Sequence, residues 1–138
     1  MSNERAAAYE ERGKGKFPGL LGVEVLAIEK GKVHMRLPIR PELLAPNGFL
    51  HAGNVVTLAD TACGYGTFES MPTEAENFTT IELKTNFFAT AREGAIACVA
   101  TLLHGGRSTQ VWDAVVTNES TGKTIAVFRC TQMLLYPR

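Results

Sequence analysis

One carboxylate stands out in "NGFLHAGNVVTLADTACGYG", residues 47–66: Asp60 is the only formally charged residue between Leu43 and Phe68. Aspartate is a poor residue for a helix interior, because it competes for backbone hydrogen bonds and is costly to bury. About two turns separate Asp60 from the helix start, too far for capping or for the helix dipole. Two readings follow. The carboxylate bonds a neighbouring loop or joins a narrow polar stripe with Thr57, Thr61 and Thr67, or it is a desolvated nucleophile or general base. "HAGN" directly precedes the same helix. The first N–H groups of a helix lack internal partners and carry the positive end of its dipole. Ala52 and Gly53 can therefore receive negative charge developing on a reacting oxygen, and Gly53 lets a ligand approach the backbone closely. His51 is either a solvated loop histidine or a polarising group at that point. An acid and an oxyanion site so placed suit attack on a carbonyl. A substrate chain lying along the helix, or the helix of a second subunit, must bridge the gap between them.

Other chemistries find little support. Cys63, Cys98 and Cys130 lie far apart, with no CxxC or Cys/His ligand spacing, so no metal site or disulfide framework is expected. All three read as small buried hydrophobes of a reducing cytoplasm. No G-x-S-x-G elbow occurs, and no strand–glycine loop–helix unit has dinucleotide-binding spacing. "HGGRST", His104 to Thr109, is either a glycine hairpin with a solvated arginine or an anion-binding turn. In the second case Gly105 and Gly106 offer free N–H groups and Arg107 meets a phosphate.

Positioning these residues falls to a simple run of elements. Residues 3–12 form a short polar helix stopped by Gly13 and Gly15. Two strands follow at 22–29 and 32–38. In the second, Val33, Met35 and Leu37 alternate with His34 and Arg36, and "EKGK" makes the turn between the two. The central helix runs from about Gly53 to Ser70, closed by Pro72, and is apolar nearly all round, which marks it as buried. Strand-like runs cover 77–89, 95–104, 108–118 and 123–136, and their short links predict an antiparallel meander. Alternation within the first of these places Thr80 with Glu82 and Lys84 on its polar face. The architecture expected is α+β: a curved antiparallel sheet wrapped around one long helix. The 138 residues form one domain, 1–138. A helix this apolar and strands this long leave surface that a symmetric dimer would cover.

The 14 basic and 14 acidic side chains cancel, which argues against a nucleic-acid surface. "MSNERAAAYEERGKGK" has no apolar core and so reads as no leader peptide. His51, Asn54 and Asp60, with several glycines, exclude a membrane span at 49–68.

"GFLHAGNVVTLADTACGYG" resembles the signature of hotdog-fold acyl-CoA thioesterases, in particular the phenylacetate-pathway and 4-hydroxybenzoyl-CoA groups. Their pattern is G-x-x-H-G-G, a few apolar residues, then L-A-[DE]. "TTIELKTNFFATAREG", residues 79–94, resembles the strand after the helix in that family. The resemblance implies hydrolysis of an acyl-CoA by a homodimer, assembling to a homotetramer as a dimer of dimers; the apolar side chains named below would suit an aromatic or medium-chain acyl group. Coenzyme A would enter only as part of the substrate, with no other cofactor. Asp60 matches the catalytic acid, His51 the polarising histidine, and Ala52 the glycine whose N–H is the oxyanion donor. Thr80 matches a hydroxyl that orients water in some members. Many members carry asparagine six residues before the histidine. That position is Ala45 here, and Asn47 lies two residues later. Gly106, Arg107, Ser108 and Thr109 match the turn that contacts coenzyme A. Phe17, Leu20, Phe49, Tyr65, Phe68 and Phe88 are candidates for an apolar acyl pocket, or for plain core. The alternatives are a hotdog acyl-thioester hydratase or dehydratase, and a non-catalytic acyl-CoA-binding protein.

Overall fold

Six strands form one sheet in the order β1-β2-β4-β5-β6-β3, every neighbouring pair antiparallel. They are β1 (Glu24–Glu29), β2 (Lys32–Pro38), β3 (Asn77–Phe87), β4 (Ala95–Gly105), β5 (Thr109–Asn118) and β6 (Thr124–Leu135). Among the described residues three α-helices accompany them, α1 (Asn3–Arg12), α2 (Phe17–Leu21) and α3 (Ala52–Ser70), with one 3-10 turn at Pro41–Leu43. The computed structural model describes residues 3–138. Met1 and Ser2, the start of the segment read as lacking a leader's apolar core, lie outside the described residues.

α3 lies against the concave face of the sheet, as the hotdog resemblance implies. Its buried residues spread around the helix, from Asn54 and Val55 to Gly66 and Thr67. Close approach to the sheet depends on small side chains. A Cβ on Gly66 would fall 2.4 Å from the Trp112 ring, and Trp112 is fully buried. Val33, Met35 and Leu37 are each fully buried, as their alternation predicts. All three cysteines are free and buried. No helix among the described residues is long and apolar enough to cross a membrane. α2 is an addition to the expected elements. Pro18 opens it, and Gly22, at φ 91°, ends it by donating to Pro18 O.

The meander holds only for β4, β5 and β6. β3 lies beyond β6 at the edge of the sheet, and β4 instead fills the place between β2 and β5. The 88–94 link makes this possible by running across the end of the sheet. Phe88 N–H donates to Ile125 O at 2.7 Å on β6, and Ile39 N–H donates to Gly94 O at 2.8 Å beside β2. Sequence pattern does not carry this choice, because an edge strand and a neighbouring strand alternate alike.

β3 is therefore an open edge, and it carries Ile81, Leu83 and Phe87 at 53%, 44% and 46% exposure, with Phe88 beyond it at 63%. A long apolar edge is a template for pairing with another strand.

Candidate active site

The chain reaches α3 through a tightly bonded loop. Ala45 N–H donates to Phe49 O at 2.7 Å, Gly48 N–H to Ala45 O at 2.9 Å, and His51 N–H to Leu43 O at 3.1 Å. Asn47 accepts the Phe49 N–H through Oδ1 at 3.2 Å, so its side chain shapes this turn while also lining the cavity described below. Asn54 locks the loop to the helix. Its buried Nδ2 donates to Leu43 O at 2.8 Å and to His51 O at 3.0 Å.

His51 caps α3: its Nδ1 accepts the Gly53 N–H at 2.9 Å. A neutral imidazole accepting at Nδ1 carries its proton on Nε2. The cap commits Gly53, whereas Ala52, first in the helix and exposed, has no intrahelical partner for its N–H. Beside it opens an apolar cavity of about 460 Å³, walled by Phe49, Leu50, Val55, Phe87 and Ala91. Of the six aromatic and aliphatic residues offered above for a pocket, only Phe49 lines this cavity. Phe17 lines a separate cavity on the far side of His51, Leu20 and Phe88 are exposed, and Tyr65 and Phe68 pack in the core against Tyr9 and Phe78.

Asp60 lies about 12 Å further along the helix axis, eight residues at 1.5 Å each. It shares a flank with Gly64, one turn on, where a Cβ would meet the Phe78 ring at 3.2 Å. That flank faces β3. Asp60 Oδ1 is buried with no hydrogen-bond partner. Burial pushes its carboxyl above the ordinary 3.8, and no neighbouring cation opposes the shift. The polar stripe is shorter than the four residues proposed: Thr57, Asp60 and Thr61 are half-buried but Thr67 is fully buried, and Thr57 and Thr67 turn their hydroxyls back onto Gly53 O and Cys63 O, at 2.8 and 2.7 Å, rather than onto Asp60. Nor does a loop bond this oxygen.

Thr80 is not on the face that simple alternation assigns. A bulge between Thr80 and Glu82 shifts the register, so Thr80 pairs with Gln132 while Leu83, Thr85 and Phe87 pair with Cys130, Phe128 and Ala126. Those β6 residues are buried against α3, which puts Thr80 on the helix side. Its hydroxyl donates to Gln132 Oε1 at 2.6 Å, and the buried Gln132 Nε2 has no partner. Gln110, paired with Gln132 across the strands, accepts the Trp112 N–H at 2.7 Å. These two glutamines were legible as polar residues at inward strand positions, beside Trp112 and Leu134.

The Gly106–Thr109 turn is closed rather than open to an anion through Gly106, whose N–H donates to Thr109 O at 2.8 Å. Ser108 O accepts from Leu134 N–H at 2.9 Å, and Arg107 lies over the Tyr136 ring at 5.2 Å. This turn sits where β4 ends, whereas the cavity sits where β4 begins. Roughly 33 Å of strand separates them, at about 3.3 Å per residue.

An uncommitted helix-start N–H beside an apolar cavity, with a desolvated carboxylate on the same helix, is equipment for acyl transfer to water. Comparison with known proteins carries this further. Residues 47–130 match the family model for the Thioesterase superfamily. The chain is 34% identical over 111 residues to a 1,4-dihydroxy-2-naphthoyl-CoA hydrolase of Listeria monocytogenes, covering 80% of this chain and 89% of that one. It is 26% identical over 123 residues to the acyl-coenzyme A thioesterase PaaI of Escherichia coli, covering 89% and 83%. A crystal structure of a mutant of thioesterase PA1618 from Pseudomonas aeruginosa superposes with a TM-score of 0.89 at 25% identity, over 96% of this chain and 94% of that one. The chain belongs to the thioesterase superfamily and has its hotdog fold. It is a thioester hydrolase.

Proposed function

We propose that the chain is a single hotdog domain, residues 1–138, that hydrolyses an aromatic or medium-chain acyl-CoA to the free acid and coenzyme A in the cytoplasm. The observation that carries this is Asp60, a half-buried carboxylate with an unpartnered oxygen on the flank of α3 that faces the open β3 edge. The substrate carbonyl rests on the Ala52 N–H, with His51 beside it, and the positive helix end stabilises the oxyanion. One such donor contributes roughly 3–4 kcal/mol to the transition state. Asp60 either takes a proton from water, whose oxygen adds to the carbonyl carbon, or adds its own oxygen to form a mixed anhydride that water then cleaves. In both routes the C–S bond breaks, the thiolate leaves, and it ends protonated as free coenzyme A.

About 12 Å of helix separates Asp60 from Ala52, so one chain does not complete the site. Antiparallel pairing of β3 with β3 of a second copy brings one protomer's Asp60 toward the other's Ala52. The same pairing carries one copy's Gly106–Thr109 turn toward the other's helix start, which lets Arg107, Ser108 and Thr109 reach coenzyme A. It also covers Ile81, Leu83 and Phe87, and the dimers pair again into a tetramer. Thr80, held by Gln132, then lies on the Asp60 side of β3 as a water-orienting hydroxyl. Asn47 stands at the cavity rim, where it takes the place of the polar contact absent at Ala45. The aromatic class agrees with what the Listeria relative is named for.

A panel of acyl-CoA thioesters assayed with a thiol-detecting reagent tests the activity. Hydrolysis of none would sink the reading. Multiple turnovers in oxygen-18 water separate the two routes: label in the enzyme carboxylate marks attack by Asp60, and unlabelled carboxylate marks base catalysis.

A further inference from the structure

Ala89, Thr90 and Ala91 of the 88–94 link line the cavity beside Ala52. Leu50 N–H donates to Ala91 O at 2.8 Å, which fixes this link against the 45–50 loop. One residue beyond each partner of that bond, Arg92 and Phe49 meet. The Arg92 guanidinium carbon lies 4.2 Å from the Phe49 ring centroid, and Phe49 lines the cavity. Arg92 is exposed, and no carboxylate among the described residues forms an ion pair with it. Most other arginines here are occupied: Arg5, Arg36, Arg40 and Arg129 each face a carboxylate.

A guanidinium over a ring face keeps its N–H edge free for another partner, and the contact restrains the side chain. That edge matches two oxygens of a phosphate at once. Position matters as much as chemistry. The cavity is apolar, which suits the uncharged pantetheine arm, and Arg92 stands next to it, on Phe49 and one residue after the lining Ala91. The Gly106–Thr109 turn of the same chain lies at the other end of the sheet. Arg92 is a cation on the same chain and at the same end as Ala52, set against the cavity's own Phe49.

We infer that Arg92, set against Phe49 beside the cavity, is a specificity-determining residue that binds a phosphate of the thiol carrier and so selects coenzyme A thioesters over shorter ones. This rests on the thioesterase reading above and adds which end of the substrate is read, and by what.

The test compares wild type, Arg92→Ala and Arg92→Lys on one acyl group carried by coenzyme A and by pantetheine. Arg92→Ala should raise KM for the coenzyme A thioester about tenfold, equivalent to about 1.4 kcal/mol, with kcat within about twofold. KM for the pantetheine thioester should stay the same. Arg92→Lys should recover only part of the loss, since lysine lacks the fork. An equal rise for both thioesters overturns the proposal, and so does no rise for either. A second pair, succinyl-CoA against butyryl-CoA, checks the other source of an anion. A loss confined to the succinyl substrate places the bound anion on the acyl group and overturns the phosphate assignment. Calorimetric titration with coenzyme A itself separates this inference from the reading it rests on. Kd should rise about tenfold in Arg92→Ala, whether or not any acyl group is hydrolysed. An unchanged Kd refutes it.

Discussion

Replacing Asp60 by asparagine should push activity and stability in opposite directions. The amide keeps the shape but can neither accept a proton from water nor attack a carbonyl. Loss of a positioned acid or base lowers kcat by about 10²–10⁴-fold, and KM should move little, because Asp60 is not the carbonyl's anchor. Stability follows from the unpartnered Oδ1. The folded carboxyl titrates above its ordinary 3.8 because burial disfavours the charge. The protonated form is thus the one the fold favours. Its advantage is complete below 3.8 and is lost as pH rises through the raised value. Above the raised value wild type therefore bears a charge that the fold disfavours, and asparagine removes it. An unsatisfied buried polar group costs about 1–3 kcal/mol. Asp60 is only half-buried and asparagine keeps an orphan oxygen, so the low end, about 1 kcal/mol, applies. At about 2.1 cal/mol/K per residue, 138 residues unfold with roughly 290 cal/mol/K, so Tm should rise by about 3 °C. Thiol release from the best acyl-CoA gives kcat, and thermal melts from pH 8 downward give the stability. The Tm gap should narrow as pH falls and close near the ordinary carboxyl range. A kcat within fivefold of wild type would end the catalytic assignment. A lower Tm at pH 8 would show instead that the carboxylate is a structural partner.

Three further changes test the frame around it. His51→Ala should lose the cap on Gly53 and lower Tm by about 3 °C, from about 1 kcal/mol, whereas His51→Asn should restore Tm. Activity that returns with asparagine would show that the ring serves only as a cap. Leu83→Arg on the open edge should give a monomer by light scattering with little thioesterase activity, and an active monomer would contradict the two-chain site. Gly66→Ala drives a methyl into the rigid, buried Trp112 ring, and overpacking of this kind costs about 1–3 kcal/mol. A melt unchanged within about 1 °C would mean that helix and sheet part easily there.

The curved sheet, the long buried helix and the acid within it were legible because each is a local pattern. α3 is apolar around its whole surface, β2 alternates cleanly, and Asp60 breaks an otherwise uncharged run. What local pattern cannot carry is where strands neighbour one another. β3 and β4 are consecutive in the chain, yet they lie on opposite sides of the β5–β6 pair. The bulge after Thr80 is likewise silent in sequence, and a one-residue slip moves a side chain to the other face. Gly106 looked free because glycine pairs suggest open N–H groups, but its N–H closes its own turn.

The sequence by itself determined that a carboxylate and a helix start lie two turns apart on one helix, since α-helical geometry is local and regular. It also determined that the helix is buried and that the strands around it are antiparallel. Only the tertiary structure decided which N–H of the helix start stays uncommitted, because that depends on the rotamer of His51 in its cap. It alone placed Arg92 on Phe49 beside the cavity, since those residues lie far apart in the chain and are joined by a link crossing the sheet end. And it alone showed the Asp60 oxygen without a partner, because an unmade bond is a property of everything packed around it.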